Sequence, residues 1–246
     1  MHNLTGKRAL VTGGSRGIGA AIALALAEQG ADVAITYERS EERAAQVVDT
    51  IAGAGRRGIA IQADSADPDA IKRAVAAVVE RLGGLDILVN SAGIARAGTI
   101  AEIGLDDIDA MFAVNIRGPV LFAQAAIPHL PSGGRIISIG STLAERVAFP
   151  GVTAYAMTKS ALLSFTRGLA RELGAQGVTV NLVQPGSTDT DMNPADGEGA
   201  DFQRSLSALG RYGTAGEIAS VVAFLASPAA DFVTGASLAA DGGFSA

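Results

Sequence analysis

The chain has 246 residues, of which 48% are apolar, and a formal net charge of −6. That apolar content is enough for a buried core and argues against disorder, while the negative charge argues against a nucleic-acid partner. The absence of cysteine excludes disulfides, thiolate nucleophiles and cysteine-based zinc sites.

Short β-branched runs alternate with longer Ala-, Leu- and Glu-rich stretches along the chain. The predicted strands are 8–12, 32–36, 58–62, 87–90, 135–140, 179–183 and 237–240. The predicted helices are 17–29, 41–54, 69–82, 106–127, 154–173 and 215–226. The strands show little polar alternation, as expected when helices cover both faces of a sheet. This order predicts an α/β fold: a doubly wound, mostly parallel seven-stranded sheet of the Rossmann type, in a single domain spanning 1–246.

One long polar stretch, 186–209, interrupts the rhythm and follows a predicted strand directly. It is rich in glycine and aspartate. Ligands of open α/β sheets bind beyond the carboxyl ends of the strands, so we interpret this stretch as a substrate lid rather than a linker.

The sequence offers little for metal binding or targeting. His2 and His129 are the only histidines and lie far apart, and His129 has the setting of a turn or helix end, so we expect neither a metal site nor a Ser-His-Asp hydrolase. The N-terminus lacks the apolar stretch of a secretory signal, and no apolar run approaches the ~20 residues of a membrane span. We expect a cytoplasmic protein with no membrane partner.

The first predicted strand runs into the glycine-rich sequence T-G-G-S-R-G-I-G, residues 12–19, which opens a helix. Glycines there permit a tight turn and close approach of backbone amides to a pyrophosphate. A glycine-rich turn alone is weak evidence for a nucleotide site, since glycine can be needed there only because the backbone adopts a positive φ. The position of the loop after the first strand favours a dinucleotide-binding site. A Walker-type phosphate loop is disfavoured because the loop does not end in Gly-Lys-Ser/Thr. The residues expected to contact the coenzyme are Gly13, Ser15, Arg16, Ile18 and Gly19.

The end of the second strand bears on which dinucleotide binds. NAD-selective sheets place an acid there to bind the ribose diol, but this chain has Tyr37, followed by Glu38, Arg39 and Ser40. Because arginine is a strong phosphate partner, Arg39 together with Arg16 favours NADP(H) over NAD(H). Two alternatives stay open: Glu38 turning inward would favour NAD(H), and Arg39 could simply be a solvated start to the next helix.

With these features in place, the chain resembles the short-chain dehydrogenases/reductases over essentially its whole length. Further motifs that match the family in order are A-D-S (63–65), N-S-A-G (90–93), N-I-R-G (115–118), S-I-G-S (138–141), Y-A-M-T-K (155–159), Q-P-G-S-T-D-T (184–190), and the C-terminal runs 210–219 and 233–243. The resemblance implies further coenzyme contacts from Tyr37, Arg39, Ser40, Asp64, Ser65, Asn90, Ala92, Gly93, Tyr155, Lys159, Pro185, Gly186, Thr188 and Thr190.

The resemblance also implies a catalytic set of Asn115, Ser141, Tyr155 and Lys159. Tyr155 would be the general acid/base, and Lys159, one helical turn further on, would lower the phenol pKa and hold the nicotinamide ribose. Ser141 would hydrogen-bond the substrate oxygen, and Asn115 would steady a water of a proton relay. The usual spacing puts the serine at Thr142, but we favour Ser141 because it ends the strand as the family serine does.

The implied activity is hydride transfer between NADP(H) and a small-molecule carbonyl or secondary alcohol. One alternative is reduction of 3-oxoacyl groups on acyl carrier protein. It is disfavoured because the segment 127–135, before the fifth strand, has a single arginine with which to bind an acidic carrier protein. Another is a non-catalytic nucleotide-binding sensor on the same fold. Apolar residues occupy more than one stripe of helix 154–173, which, with 106–127, predicts packing into a homotetramer.

Overall fold

The computed structural model describes residues 4–246. Its strands, in chain order, are β1 (Arg8–Val11), β2 (Asp32–Tyr37), β3 (Gly58–Gln62), β4 (Ile87–Asn90), β5 (Arg135–Ile139), β6 (Thr179–Pro185), β7 (Thr188–Asp189), β8 (Gly213–Thr214) and β9 (Ser237–Ala240). Seven of these form one parallel sheet in the order β3-β2-β1-β4-β5-β6-β9. The predicted doubly wound seven-stranded sheet is confirmed, and every pairing in it is parallel.

Eight α-helices connect the strands within the described part of the chain. They are α1 (Gly17–Glu28), α2 (Glu41–Gly53), α3 (Pro68–Leu82), α4 (Leu105–Phe112), α5 (Gly118–Ala126), α6 (Thr153–Leu173), α7 (Ala200–Ser205) and α8 (Ala215–Ala226). Strand order reverses between β1 and β4, since later strands add on the β4 side and β2 and β3 on the other. A ligand crevice is expected at that switch point, beyond the strands' carboxyl ends.

Both faces of the sheet are apolar because successive side chains of each strand serve different cores. In β1, Ala9 and Val11 join the core that includes α1 and α8, while Leu10 between them joins the core that includes α3 and α5. Alternation of direction with no alternation of polarity is the sequence pattern of a strand covered on two sides.

The predicted helix 106–127 differs from the structure, which divides it into α4, a π-helical turn at Ala113–Arg117, and α5. Pro119 has no backbone N–H, and in a regular α-helix its ring would collide with the carbonyl of residue 115, four positions earlier. Widening the helix at this point removes that collision. Single π-turns of this kind are common at functional sites.

The polar stretch 186–209 has its own internal structure. It contains β7 and α7, and β7 pairs in parallel with β8. Asn193 and Gln203 donate to each other's amide oxygens, at 3.0 Å in both directions. The sequence pattern of 186–209 indicates only an irregular polar segment, but the segment is folded. Hydrogen bonds between side-chain amides, rather than an apolar core, hold it together.

Among residues 4–246, one helical segment, Leu105–His129, is long and apolar enough to cross a membrane, with a mean hydropathy of 1.3. It combines α4, the π-turn, α5 and a short 3-10 turn, and its two α-helices pack against α6 and α3. Length and composition alone are weak grounds for a span, because core helices of globular domains share them.

Candidate active site

The loop after β1 is a cradle that requires glycine. Gly13 has φ +65°, and a Cβ added to it would lie 2.8 Å from the Cα of Ala92 in the segment after β4. A Cβ on Gly19 would overlap the carbonyl oxygen of Gly13. Ser15 lies in the turn and Ile18 in the first turn of α1. The loop therefore leaves backbone amides accessible where side chains would otherwise block approach.

Thr12 is a residue of this cradle that sequence reasoning missed. Its hydroxyl oxygen accepts hydrogen bonds from the backbone amides of Ser91 and Ala92, both at 3.0 Å. This joins the end of β1 to the segment after β4 across the switch point. The only sequence signal was a hydroxyl residue at the junction of strand and glycine loop.

The end of β2 presents its polar groups to solvent. Tyr37 is buried as the last residue of the strand, whereas the Arg39 side chain is 86% exposed and donates to Glu38 at 2.8 Å. Ser40 stands at the start of α2. Glu38 thus pairs with Arg39 on the surface instead of turning inward, and Arg39 stays accessible to a ligand phosphate.

Two strands on either side of the switch point also end in predicted residues. Asp64, just after β3, is exposed and accepts from the amide of Ala66 at 2.8 Å, and Ser65 follows it. Asn90, at the end of β4, is buried and donates to Ser138 at 3.4 Å, while its Oδ1 has no protein partner. A buried amide oxygen of this kind calls for a ligand or water donor.

Asn115 is anchored by three hydrogen bonds at the π-turn. Its Oδ1 accepts from the amide of Ile94 at 2.9 Å, and its Nδ2 donates to the Ile94 carbonyl at 2.8 Å and to the Thr158 hydroxyl at 3.0 Å. A Cβ on Gly93 would lie 3.4 Å from Nζ of Lys159 and 3.5 Å from Oδ1 of Asn115. The structure thus brings Gly93, Asn115 and Lys159 together. Thr158 was missed because only its place within Y-A-M-T-K marked it.

Ser141, rather than Thr142, faces Tyr155. The Ser141 hydroxyl accepts from the amide of Leu143 at 3.2 Å and hydrogen-bonds the Tyr155 side chain. Thr142 is buried and its hydroxyl points to the carbonyl of Pro185, 3.4 Å away. The geometry favours the serine that ends β5, with the following 3-10 turn (Thr142–Ala144) absorbing the difference in spacing.

Lys159 lies close to the ring of Tyr155, and burial shifts the pKa values of both side chains. Its Nζ donates to the carbonyl of Ile139 at 2.9 Å and lies 5.8 Å from the centre of the Tyr155 ring. Burial raises the pKa of Tyr155 to about 12, against a smaller lowering by Ser141. Burial also lowers the pKa of Lys159 to about 8. In the protein without coenzyme, burial therefore sets the direction of the phenol pKa, and the lowering of that pKa by Lys159 stays a prediction.

The segment after β6 closes the site from the other side. Pro185 ends the strand, and a Cβ on Gly186 would lie 2.7 Å from the Cα of Asp241. Thr188 is buried and donates to the Gly186 carbonyl at 3.0 Å. Thr190 lies over the cradle, with its Cγ2 3.5 Å from where a Cβ on Gly17 would stand. The start of the stretch 186–209 thus covers the glycine loop.

The buried ammonium makes a testable contribution to stability. Between pH 8 and its ordinary pKa of 10.5, Lys159 has lost its proton in the folded protein but keeps it in the unfolded chain. The unfolded chain then binds more protons, so stability rises with pH across this window, and the full penalty persists below pH 8. From pH 7.5 to pH 10, we expect wild type to gain about 2 kcal/mol of unfolding free energy relative to Lys159→Met.

Urea denaturation of both proteins at matched pH values measures this difference. The comparison stops at pH 10 because the raised pKa of Tyr155 acts in the opposite sense above it. A difference that stays constant with pH would mean that Lys159 titrates as an exposed lysine does.

The cradle and its surroundings fit a dinucleotide. Glycines without room for a Cβ, an α-helix starting at the loop, and the unpartnered Asn90 oxygen all lie at the switch point. By contrast, His129 is exposed in a 3-10 turn far from these groups in the fold, and His2 lies outside the described residues. No group of three His, Asp or Glu side chains within 4–246 is arranged to hold a metal ion.

Sheet topology and site chemistry together place the protein among the oxidoreductases built on a dinucleotide-binding sheet. A family model described as enoyl-(acyl carrier protein) reductase matches residues 13–245. The chain belongs to the short-chain dehydrogenase/reductase family, as the sequence motifs predicted.

Individual relatives agree over the full length. A cyclic-di-GMP-binding biofilm dispersal mediator protein of Escherichia coli is 46% identical, with 100% of both chains covered. A versicolorin reductase of Emericella nidulans is 41% identical over 98% of this chain and 97% of its own. A solved short-chain dehydrogenase from Burkholderia cenocepacia, in complex with NADP, is 59% identical with a TM-score of 0.98, covering 99% of this chain and 100% of that one.

Proposed function

We propose that the protein is an NADP(H)-dependent reductase of a small-molecule carbonyl compound, or the dehydrogenase of the corresponding secondary alcohol. The observation that carries this is the convergence of Ser141, Tyr155, Lys159 and Asn115 beside the glycine cradle. A phenol, a hydroxyl and an ammonium at the edge of a dinucleotide site are the groups that carbonyl reduction requires.

When bound, the coenzyme supplies the hydride for the carbonyl carbon or accepts it from the alcohol. Tyr155 donates its hydroxyl proton to the oxygen that becomes the alcohol, and Ser141 donates a hydrogen bond to the same oxygen. The high pKa of Tyr155 keeps that proton in place at neutral pH, which suits reduction. Lys159, with its lowered pKa, gives up and regains a proton near neutral pH and so can reprotonate the phenol.

Asn115 acts as a positioning residue in this scheme. Its side chain is fully engaged with Ile94 and Thr158, so it has no free amide group for substrate. The Asn115 side chain and the Lys159 ammonium both approach Gly93, and we place the water of the proton relay to Lys159 and Tyr155 beside this group.

NADP(H) is the proposed coenzyme. Arg39 is accessible at the end of β2, Glu38 pairs with it at the surface, and Arg16 lies in the glycine loop. The Burkholderia relative was crystallised with NADP, in agreement with this preference. Arginines at this end of the site suit the extra phosphate of NADP(H), which the ribose diol of NAD(H) lacks.

The stretch 186–209 is the proposed substrate lid, and α7 is its contact with the opposite wall. The ring of Phe202 meets that of Phe149 edge-on, with centroids 6.0 Å apart. Phe149 belongs to the loop between Ser141 and Tyr155, so closing the lid brings an apolar surface over the reacting groups. Exclusion of water there strengthens the polar contacts inside.

The protein is proposed to be a cytoplasmic homotetramer. Met157 on α6 and Val120 on α5 are large apolar side chains that stay exposed, on the two helices predicted to form subunit contacts. Exposed apolar side chains that form a patch are typical of protein interfaces. Reduction of acyl groups on a carrier protein is less favoured, because Arg135, the only arginine of its predicted approach, is buried and paired with Asp231.

The second candidate is a nucleotide-binding sensor, favoured by the name of the Escherichia coli relative. One experiment separates the two: NADPH oxidation is followed with ketones, diketones and acetoacetyl thioesters, alongside titration with NADPH and with cyclic di-GMP. Turnover of any carbonyl supports the reductase. Tight nucleotide binding without turnover of any compound in the panel would favour the sensor.

A further inference from the structure

An ion-pair cluster joins the proposed lid to the coenzyme end of the site. Asp191 forms a salt bridge with Arg43, in the first turn of α2, and its Oδ2 lies 3.9 Å from an Nη of Arg16. Asp191 lies 148 positions from Arg43 in sequence, and all three side chains are about half exposed. The hydrogen bond from Arg43 holds the pKa of Asp191 below its ordinary value, so the carboxylate is charged at neutral pH.

Both arginines border the region proposed for the extra phosphate. Arg16 immediately precedes α1 in the glycine loop, and Thr190, next to Asp191, covers Gly17 of that loop. Arg43 lines a surface depression of about 550 Å³ together with Arg39, Ser40, Glu41 and Glu42. The carboxylate of Asp191 therefore pairs with an arginine that lines this depression.

We propose that Asp191 is a specificity-determining residue whose carboxylate competes with the extra phosphate of NADP(H) for Arg16 and Arg43. This inference rests on the proposed function. The guanidinium groups that pair with Asp191 are less available to a phosphate, and the carboxylate repels the phosphate from close range. NADP(H) binding and the lid contact of Asp191 oppose each other, while NAD(H), which has no such phosphate, is indifferent to the contact.

Electrostatics sets the size of the effect. Exposed salt bridges contribute little to stability, so the pair can exchange Asp191 for another anion without unfolding the lid. A carboxylate acting on a phosphate dianion at about 6 Å in water, with ordinary salt, changes affinity by about threefold to tenfold. The effect should shrink as salt rises, because the screening length falls to about 3 Å at 1 M.

The test is equilibrium binding of NADPH and NADH, measured by coenzyme fluorescence, to wild type and to Asp191→Asn. We expect Asp191→Asn to bind NADPH about threefold to tenfold more tightly at low salt and NADH within about twofold of wild type. Asp201→Asn is the matched control, because Asp201 is a lid acid that pairs with Arg204 inside the lid. It should leave both affinities within about twofold of wild type.

A double variant separates competition from a general change in the lid. In an Arg43→Met background, Asp191→Asn should tighten NADPH binding less than it does in wild type, since one of the shared guanidinium groups is gone. Unchanged or weaker NADPH binding by Asp191→Asn, or equal effects on the two coenzymes, would overturn the competition. Failure of wild type to bind either coenzyme would instead count against the proposed function itself.

Discussion

Replacing Tyr155 with phenylalanine is expected to lower kcat for carbonyl reduction by about 10²–10⁴-fold, the usual contribution of a positioned general acid. The change removes one hydroxyl and keeps the ring, so the packing around Lys159 is retained. The affinity for NADPH, measured by fluorescence titration, should change by less than about tenfold, because the cradle is built from backbone and other side chains.

Tyr212→Phe is the matched control for this loss. Tyr212 is a buried tyrosine, and its hydroxyl makes a long hydrogen bond of 3.4 Å to Asn193 rather than to Ser141. Its variant should keep kcat within about threefold of wild type, since a weak neutral hydrogen bond is the only interaction lost. Substantial activity in Tyr155→Phe would contradict the role of the phenol as acid.

Gly19→Ala is expected to have the second large effect, on coenzyme binding. The added methyl group would overlap the Gly13 carbonyl, which belongs to the backbone and can yield only if the loop moves. Displacing the loop costs about 1–3 kcal/mol of stability by overpacking. Losing two charge-assisted amide contacts to the pyrophosphate, at about 1.5 kcal/mol each, raises the Kd for NADPH by about 100-fold.

Calorimetric titration measures that Kd, and thermal unfolding measures the stability change. Gly53→Ala is the control, because Gly53 ends α2 with open space around its missing Cβ and no left-handed backbone. It should be neutral or stabilise by up to about 1 kcal/mol, and coenzyme affinity should be unchanged. A normal Kd for Gly19→Ala would show that the loop does not hold the pyrophosphate.

The sheet could be predicted from sequence because each strand is a short apolar run with a helix on either side. Leu10 and Val11 serve opposite cores, yet both are apolar, so the pattern of the run reports burial on two faces directly. The glycine loop could also be predicted, because close approach of a ligand to the backbone requires residues without side chains. The set of Ser141, Tyr155 and Lys159 was predicted from family motifs, and the structure places the three side chains together.

Two kinds of feature could not be predicted from the sequence. One is a property set by several competing effects, such as a pKa, and the other is a contact between segments that are distant in sequence. The phenol pKa depends on burial, which residue spacing does not indicate, and spacing showed only the neighbouring Lys159. The π-turn arises from one proline within a helical pattern that otherwise looks continuous. The pairing of Asp191 with Arg43 joins residues whose surroundings in sequence are both polar and unremarkable, so no local signal marks it.

The bridge made by Thr12 has a consequence for the lifetime of the protein in the cell. Its hydroxyl and the amides of Ser91 and Ala92 come from parts of the chain about 80 residues apart, so the complete cradle forms only in the folded chain. A ligand that recognises only the native state shifts the folding equilibrium by mass action, by about 2.7 kcal/mol at 100 times its Kd. Coenzyme that binds the folded cradle would then also protect the chain from proteases that attack the unfolded state.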